Sequence, residues 1–246
     1  MMERKMKKTL IYAVLLAIFY SFASADVYTL YDPSYLYTQD DEGNLKWLAT
    51  IDAGTKFDET KDFIVPEKIN GKENSNNLQY VSVDYKGKKA WILKSGLIED
   101  SDKVSLSSIG VITDEAAVYT WGNKAAVEKF TLPAGTVVAV ANGDSYEVDG
   151  SLAEIYFYDN QVFWKIRKAY VLKSKVSSVE SDYDAVILAK TALSKDVQKE
   201  KEVIVKLLSL AQERADSTGI VQFVEEAVQK IEEKEMQYSS EENSAE

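Results

Sequence analysis

Aromatic side chains are the residues of this chain best suited to hold a ligand. The sequence contains 15 Tyr, 4 Trp and 8 Phe, and many of them lie in short runs with β-branched residues, which is typical of strands. Flat rings pack well against stiff extended ligands, although alternation along a strand sends half of them into the core. We predict a ligand-binding set drawn from both halves of the chain: Tyr35, Tyr37, Trp47, Tyr85, Tyr119, Trp121 and Tyr158.

Carboxylates are the other groups that could do chemistry. The chain has no His and no Cys, which excludes imidazole and thiol catalysis, disulfides and zinc sites built on those ligands. Hydrolysis would need paired acids, and the candidates lie in predicted polar loops, at residues 40–42, Asp58, Glu59, Asp144 and Glu147. The acids of residues 144–149 lack the spacing of an EF-hand calcium loop. We therefore predict no catalytic residue, no metal and no cofactor, and a protein that is not an enzyme.

The first residues have the pattern of an export signal. Basic residues at 4–8 precede an apolar run at 10–20, and small residues at 23–25 follow it, as in a secretory signal cleaved after Ala25. An uncleaved anchor is the less favoured alternative, because a membrane helix needs about 20 apolar residues. We predict a signal peptide over residues 1–25, no membrane span after cleavage, and residence in the periplasm or outside the cell.

The chain is strongly acidic. Its net charge is −11, and removal of residues 1–25, with four basic residues and one acid, makes it −14. Such a charge repels nucleic acids and anionic lipid surfaces. We therefore expect no nucleic-acid partner.

Two motifs of the chain occur twice, in the same order. AWILKS at residues 90–95 recurs as AYVLKS at 169–174, an offset of 79, and AGT at 53–55 recurs at 134–136, an offset of 81. Around both copies, short apolar runs alternate with Gly, Asn and Asp clusters, the pattern of β-hairpins. A nearly fixed offset for two motifs indicates a duplicated β-rich unit.

The duplicated motifs resemble those of bacterial SH3 domains. Residues 80–97 (YVSVDYKGKKAWILKSGL) are similar to the end of that domain, where a strand, a Gly turn and a last strand precede a short helical turn. Residues 131–138 (TLPAGTVV) resemble its mid-domain turn into a strand. The chain departs from the family at Ala90 and Ala169, where a Gly usually precedes the aromatic residue.

This resemblance implies two tandem small SH3-like β-barrels, at residues 26–100 and 109–178, each of about five strongly bent strands. Members of the family commonly bind peptidoglycan or short peptides. In the family the ligand groove lies beside the first hairpin, so the resemblance makes Tyr37 and Tyr119 the leading candidates among the aromatic residues.

The C-terminal part of the chain has a helical period. From residue 194 onward good helix formers dominate, and a break at residues 216–219 separates two amphipathic segments. One apolar stripe recurs at spacings of 3, 4 and 3, through Val221, Val224, Val228 and Ile231. We predict a helical hairpin over residues 183–236 and a disordered acidic tail over 237–246. Residues 185–188 either begin the first helix or form a strand that opens a vestigial third unit, and we favour the strand.

The sequence thus predicts a mainly β protein with an α-helical C-terminus, built from two tandem SH3-like barrels and a helical hairpin. We interpret it as an exported, non-enzymatic protein that binds a cell-wall glycopeptide of peptidoglycan or an extended peptide. The alternative is a scaffold of the cell envelope whose C-terminal helices bind a partner protein through the stripe that begins at Val221. Packing of that stripe within the chain itself is the favoured arrangement.

Overall fold

The computed structural model describes residues 26–99, 106–120, 127–141 and 150–244. Within these ranges the chain is mostly β, with three helices at its C-terminal end, which confirms the predicted fold class at that level. The predicted signal peptide, residues 1–25, lies outside the described residues. No helix in the described ranges is long and apolar enough to cross a membrane.

The first β-rich unit consists of ten strands between residues 27 and 99. They are β1 (Val27–Thr29), β2 (Ser34–Gln39), β3 (Leu45–Ile51), β4 (Lys56–Phe57), β5 (Phe63–Ile64), β6 (Lys68–Ile69), β7 (Lys72–Glu73), β8 (Tyr80–Tyr85), β9 (Lys88–Leu93) and β10 (Leu97–Glu99). Seven of them form a sheet in the order β5-β8-β9-β2-β3-β6-β7, and β1 joins β10 and β4 in a small sheet. The β8–β9 hairpin turns at Lys86 and Gly87, which both have positive φ, as two-residue hairpin turns require.

The second β-rich unit consists of seven described strands. They are β11 (Leu106–Ile112), β12 (Ala116–Tyr119), β13 (Val127–Leu132), β14 (Val137–Ala141), β15 (Leu152–Asp159), β16 (Lys165–Leu172) and β17 (Val176–Ser177). They form one sheet in the order β13-β12-β16-β15-β14-β11-β17. A set of buried residues of this unit, including Ile112, Val118 and Phe157, forms a core of its own.

The duplicated motifs adopt the same local structure in both units. AWIL lies in β9 and AYVL in β16, and in each case a single 3₁₀ turn (Lys94–Gly96 or Lys173–Lys175) follows, leading into a short strand. The recurrence in sequence therefore corresponds to a recurrence in structure.

The AGT motif forms a tight turn in both units. Gly54 has φ +85° and Gly135 has φ +77°, a region that glycine enters without steric cost. The following threonines, Thr55 and Thr136, each donate a side-chain hydrogen bond of 2.7 Å to the carbonyl oxygen three residues back. A Cβ on Gly54 would lie 2.6 Å from the Tyr183 hydroxyl, and one on Gly135 would lie 2.5 Å from the Phe223 ring. Helical side chains therefore pack directly on both turns.

The C-terminal part holds three helices rather than the predicted hairpin of two. They are α1 (Glu180–Leu193), α2 (Lys201–Arg214) and α3 (Thr218–Ser244). The strand favoured at residues 185–188 is wrong, because this segment lies inside α1. Its buried residues Ala185, Ala189 and Ala192 have helical spacing, and small side chains on one face let α1 approach its neighbours closely.

The predicted disordered tail is also wrong over most of its length. Helix α3 continues through residues 237–244, and residues 245–246 lie outside the described part. In this segment the Ser239 and Ser240 hydroxyls donate hydrogen bonds to the carbonyl oxygens of Glu235 and Gln237 in the preceding turn.

The largest buried cluster joins all parts of the molecule. The first unit contributes Leu30, Ala53 and Ile98, and the second contributes Val111, Val137 and Ala139. The remainder comes from all three helices and from Val197, between α1 and α2. Because each helix buries an apolar stripe against the sheets or against another helix, the helices hold the two units together.

A buried carboxylate anchors α1 to its surroundings. The Asp182 side chain accepts hydrogen bonds from the Ser177 hydroxyl, at 2.6 Å, and from the backbone N–H groups of Asp216 and Ser217, both at 2.9 Å. Burial alone would raise the pKa of Asp182, but these hydrogen bonds outweigh burial and hold it below its ordinary value. Asp182 thereby ties β17, α1 and the loop between α2 and α3 at one point.

Candidate ligand-binding groove

The first unit carries a groove lined by tyrosines. Tyr31, Tyr35, Tyr37 and Tyr80 line a cavity of about 400 Å³, together with side chains of the segment 69–78. We call this cavity the tyrosine groove. A concave, largely apolar site with a few polar groups is the usual form of a ligand pocket.

The sheet register brings the floor of the groove together. Tyr37 of β2 pairs with Trp91 of β9, and Tyr80 of β8 pairs with Leu93, which is also in β9. Positions 91 and 93 share a face, since side chains alternate along a strand. Tyr37, Tyr80 and Trp91 form one buried cluster with Leu45, and the rings of Tyr37 and Tyr80 meet edge to face at 5.5 Å.

The four tyrosines differ in exposure. Tyr37 and Tyr80 are buried, Tyr31 is partly exposed, and Tyr35 is 38 % exposed. Burial raises the pKa of both Tyr37 and Tyr80, so their hydroxyls stay protonated well above neutral pH. The groove therefore offers an uncharged aromatic floor and one ring, that of Tyr35, free to contact a ligand.

Asn74 shapes the rim of the groove. Its Nδ2 donates to the carbonyl oxygens of Pro66 and Leu78, both at 3.0 Å, and its Oδ1 accepts the Leu78 N–H at 2.8 Å. These bonds replace the strand pairing that the loop lacks. These hydrogen bonds hold the rim in place, and Lys72 and Glu73 put one charge of each sign on it.

The predicted aromatic set is only partly brought together. Tyr35 and Tyr37 lie in the tyrosine groove. Trp47 is 57 % exposed but does not line the groove, and Tyr85 packs partly against the core of the first unit. Trp47 lies opposite Tyr37 in the β2–β3 pairing without lining the groove, and Tyr85 lies at the end of β8 opposite to Tyr80.

The three predicted residues of the second unit are dispersed. Tyr119 is partly buried and pairs with Tyr170, and Trp121 lies outside the described residues. Tyr158 packs on Tyr31 with ring centroids 4.4 Å apart. It therefore lies where the two units meet, next to the tyrosine groove.

Tyr31 and Tyr80 are groove residues that lie outside the predicted set. Tyr80 opens a strand whose partner register decides which side it faces, and that register is not readable from one sequence. Tyr31 lines both the tyrosine groove and a cavity of about 280 Å³ between the two units. Its position just before Asp32 and Pro33, at a turn between two strands, is the signal that could have suggested exposure.

Two carboxylates and a lysine interact near the cavity between the units. Lys190 of α1 pairs with Asp32 at its edge. Burial raises the pKa of nearby Asp52, the negative charge of Asp32 adds to the rise, and Lys190 opposes it. An acid with a raised pKa thus lies beside a second carboxylate at this edge.

The carboxylates considered from sequence are solvated or structural. Asp40 accepts the N–H groups of Glu42 and Asn44 in its turn, and Glu59 forms a 2.9 Å ion pair with exposed Lys61. Residues 144–149 lie outside the described part. Among the described residues, no group of three or more potential metal ligands occurs.

Comparison with known proteins gives no family for this chain. No protein-family model matches its sequence, and no curated protein matches it. Two solved structures from Trichomonas vaginalis are similar to it: NlpC1, at 15 % identity, and NlpC2, at 18 % identity, each with a TM-score of 0.22. Both comparisons cover 70 % of this chain, and 54 % and 57 % of those proteins. The chain thus spans little more than half the length of the structures it matches.

These names contradict one prediction. NlpC proteins form a peptidoglycan hydrolase family, so the prediction that this chain is not an enzyme is withdrawn. TM-scores of 0.22 carry no argument for a particular activity. Because the sequence has no His and no Cys, any catalysis would use carboxylate, hydroxyl or amine groups.

Proposed function

We propose that this protein binds cell-wall peptidoglycan in the tyrosine groove. The observation that carries the proposal is a preformed groove of about 400 Å³ with four tyrosines in its lining, on a hydrogen-bonded sheet. Aromatic rings offer flat apolar faces to sugars and extended peptides at low entropic cost. Peptidoglycan presents both kinds of surface on one polymer.

The proposal includes the two tandem SH3-like modules at residues 26–100 and 109–178. It is supported by the matching hairpins, 3₁₀ turns and glycine turns of the two units. It also includes export, directed by residues 1–25, into the periplasm or outside the cell, where the wall is accessible.

An envelope scaffold acting through its helices has weaker support. Val224 is 1 % and Ile231 is 5 % exposed, both within the main core. Val228 packs against the same core, and Val221 is 37 % exposed. Because most of this stripe is already covered by the chain itself, it offers little apolar area to a partner.

The test is co-sedimentation of the full protein with purified peptidoglycan. Tyr35→Ala removes the exposed ring of the groove, and we expect the apparent Kd to rise about tenfold or more, as for a central aromatic contact. Trp47→Ala is the matched control, because it removes a larger and more exposed ring of the same unit outside the groove.

Unaltered melting temperatures in both variants will show that only binding changed. Equal loss of binding in the two variants, or none in Tyr35→Ala, would place the ligand elsewhere. The full chain is used throughout, because the main core includes residues of both units and all three helices, and removing the helices would expose that core.

A further inference from the structure

The tyrosine groove continues into a second cleft. Leu78 and Leu93 line both the groove and a cavity of about 490 Å³ between the two β-rich units. Trp164, just before β16, and Ile166, near its start, line the same cavity from the second unit. We call this second cavity the seam. A ligand longer than the tyrosine groove thus has a continuous surface to follow across both units.

The charge of the seam is opposite to that of the whole protein. Lys94 and Lys165 line it, and its described lining contains no acidic side chain, although the net charge of the chain is −11. The Lys94 ammonium lies 5.3 Å from the centre of the Phe63 ring, and that of Lys165 lies 5.8 Å from the Phe163 ring. Neither lysine forms an ion pair within the described part of the chain, so both charges are available to an anion.

The aromatic wall of the seam is held in place. Trp164 has φ +50° and is 62 % exposed, a costly conformation for a bulky residue that persists only where its surroundings impose it. The turn just before it is ordered by the buried Asp159, which accepts the N–H groups of Gln161 and Val162, at 3.0 and 2.9 Å, and the Nε–H of Arg167, at 2.7 Å. Trp164 therefore lies at the surface on a hydrogen-bonded hairpin turn.

We propose that the seam is the second half of the wall-ligand site, where Lys94 and Lys165 bind a free carboxylate of the wall peptide and Trp164 packs against its chain. This inference rests on the proposed function, since the ligand enters from the tyrosine groove. The tyrosine groove carries one charge of each sign, Lys72 and Glu73. The described lining of the seam carries two lysines and no acid, and ammonium groups form charge-assisted hydrogen bonds to a carboxylate. Selection for a carboxylate-bearing peptide is thus assigned to the seam.

The experiment compares two double variants of the full protein that have the same net charge. Lys94→Gln with Lys165→Gln removes both seam cations, while Lys88→Gln with Lys173→Gln removes two exposed lysines that do not line it. The probes are purified peptidoglycan and the same material with its carboxyl groups converted to amides. We expect the seam variant to bind unmodified peptidoglycan about tenfold more weakly, and the control to bind it normally.

Amidated peptidoglycan distinguishes the seam proposal from the groove proposal. We expect the native protein to bind it about tenfold more weakly, and the seam variant to bind it as it binds unmodified wall. If Tyr35→Ala weakens binding but the seam variant does not, the seam proposal is overturned and the groove proposal stands. If the native protein binds neither material, both proposals are overturned.

Discussion

Replacing Asp182 with alanine is expected to lower the free energy of unfolding by about 3 kcal/mol or more, because three donors lose a buried acceptor that carries a charge. Two backbone N–H groups and the Ser177 hydroxyl lose their acceptor, and a buried donor without a partner costs about 1–3 kcal/mol. Urea denaturation followed by circular dichroism measures the change.

Asp184→Ala is the matched control on the same helix. Asp184 forms its ion pair with Arg214 at the surface, where the two side chains are 35 % and 55 % exposed, so its removal should cost less than about 1 kcal/mol. Equal losses from the two variants would show that the Asp182 network does not hold the helices to the second unit.

The stabilising effect of Asp182 should depend on pH in one direction. Its pKa in the folded protein is lowered, so the unfolded chain takes up a proton first as the pH falls. The stability difference between the native protein and Asp182→Asn should be constant above pH about 4 and should shrink below it, as pH falls through the folded-state pKa. A difference that grows on acidification would contradict the lowered pKa.

Gly219→Ala is expected to destabilise the protein by at least about 2 kcal/mol, although the same change in an isolated helix stabilises by up to about 1 kcal/mol. A Cβ at this position in the first turn of α3 would lie 2.1 Å from the carbonyl oxygen of Thr113. Backbone atoms at the end of β11 cannot move aside as a side chain can, so α3 would have to shift.

Gln222→Ala tests the same helix without the close approach. Gln222 is exposed on α3, so its replacement should change the free energy of unfolding by less than about 0.5 kcal/mol. Thermal unfolding of both variants gives the comparison. A higher melting temperature for Gly219→Ala would show that α3 does not dock on the second unit as described.

The duplicated motifs were the most informative part of the sequence. AWILKS and AYVLKS each predicted a last long strand and turn, and both form them because local turn chemistry and β-branched residues agree. The alternation around Gly54 and Gly135 likewise predicted turns, which positive φ at both glycines confirms. Short sequence motifs are enough to predict a strand or turn whose conformation depends on residues close by in the sequence.

Helix α1 was mispredicted because tertiary packing decided it. The run of residues 184–188, DAVIL, is rich in β-branched residues and resembles the opening of a new unit. The alanines of the helix, however, lie against a core assembled from both units and two further helices, and that core favours a helix. Such a context is not visible in a window of five residues.

The sequence predicts only those residues of the candidate site that lie together on one strand. Tyr35 and Tyr37 are both on β2, and their spacing was readable. Tyr80 and Leu93 reach the groove through the register of three strands, whereas the exposed ring of Trp47 on β3 does not line it. Pairing between distant strands is what the single sequence lacked.

The measurement that tests the central claim most directly is NMR of the protein with ¹³C-labelled tyrosine rings, titrated with soluble peptidoglycan fragments. The account predicts that signals of Tyr31, Tyr35, Tyr37 and Tyr80 shift together along one binding curve, while those of Tyr119 and Tyr238, which do not line the groove, stay unchanged. Shifts confined to tyrosines outside the groove, or no shift at saturating fragment, would contradict it.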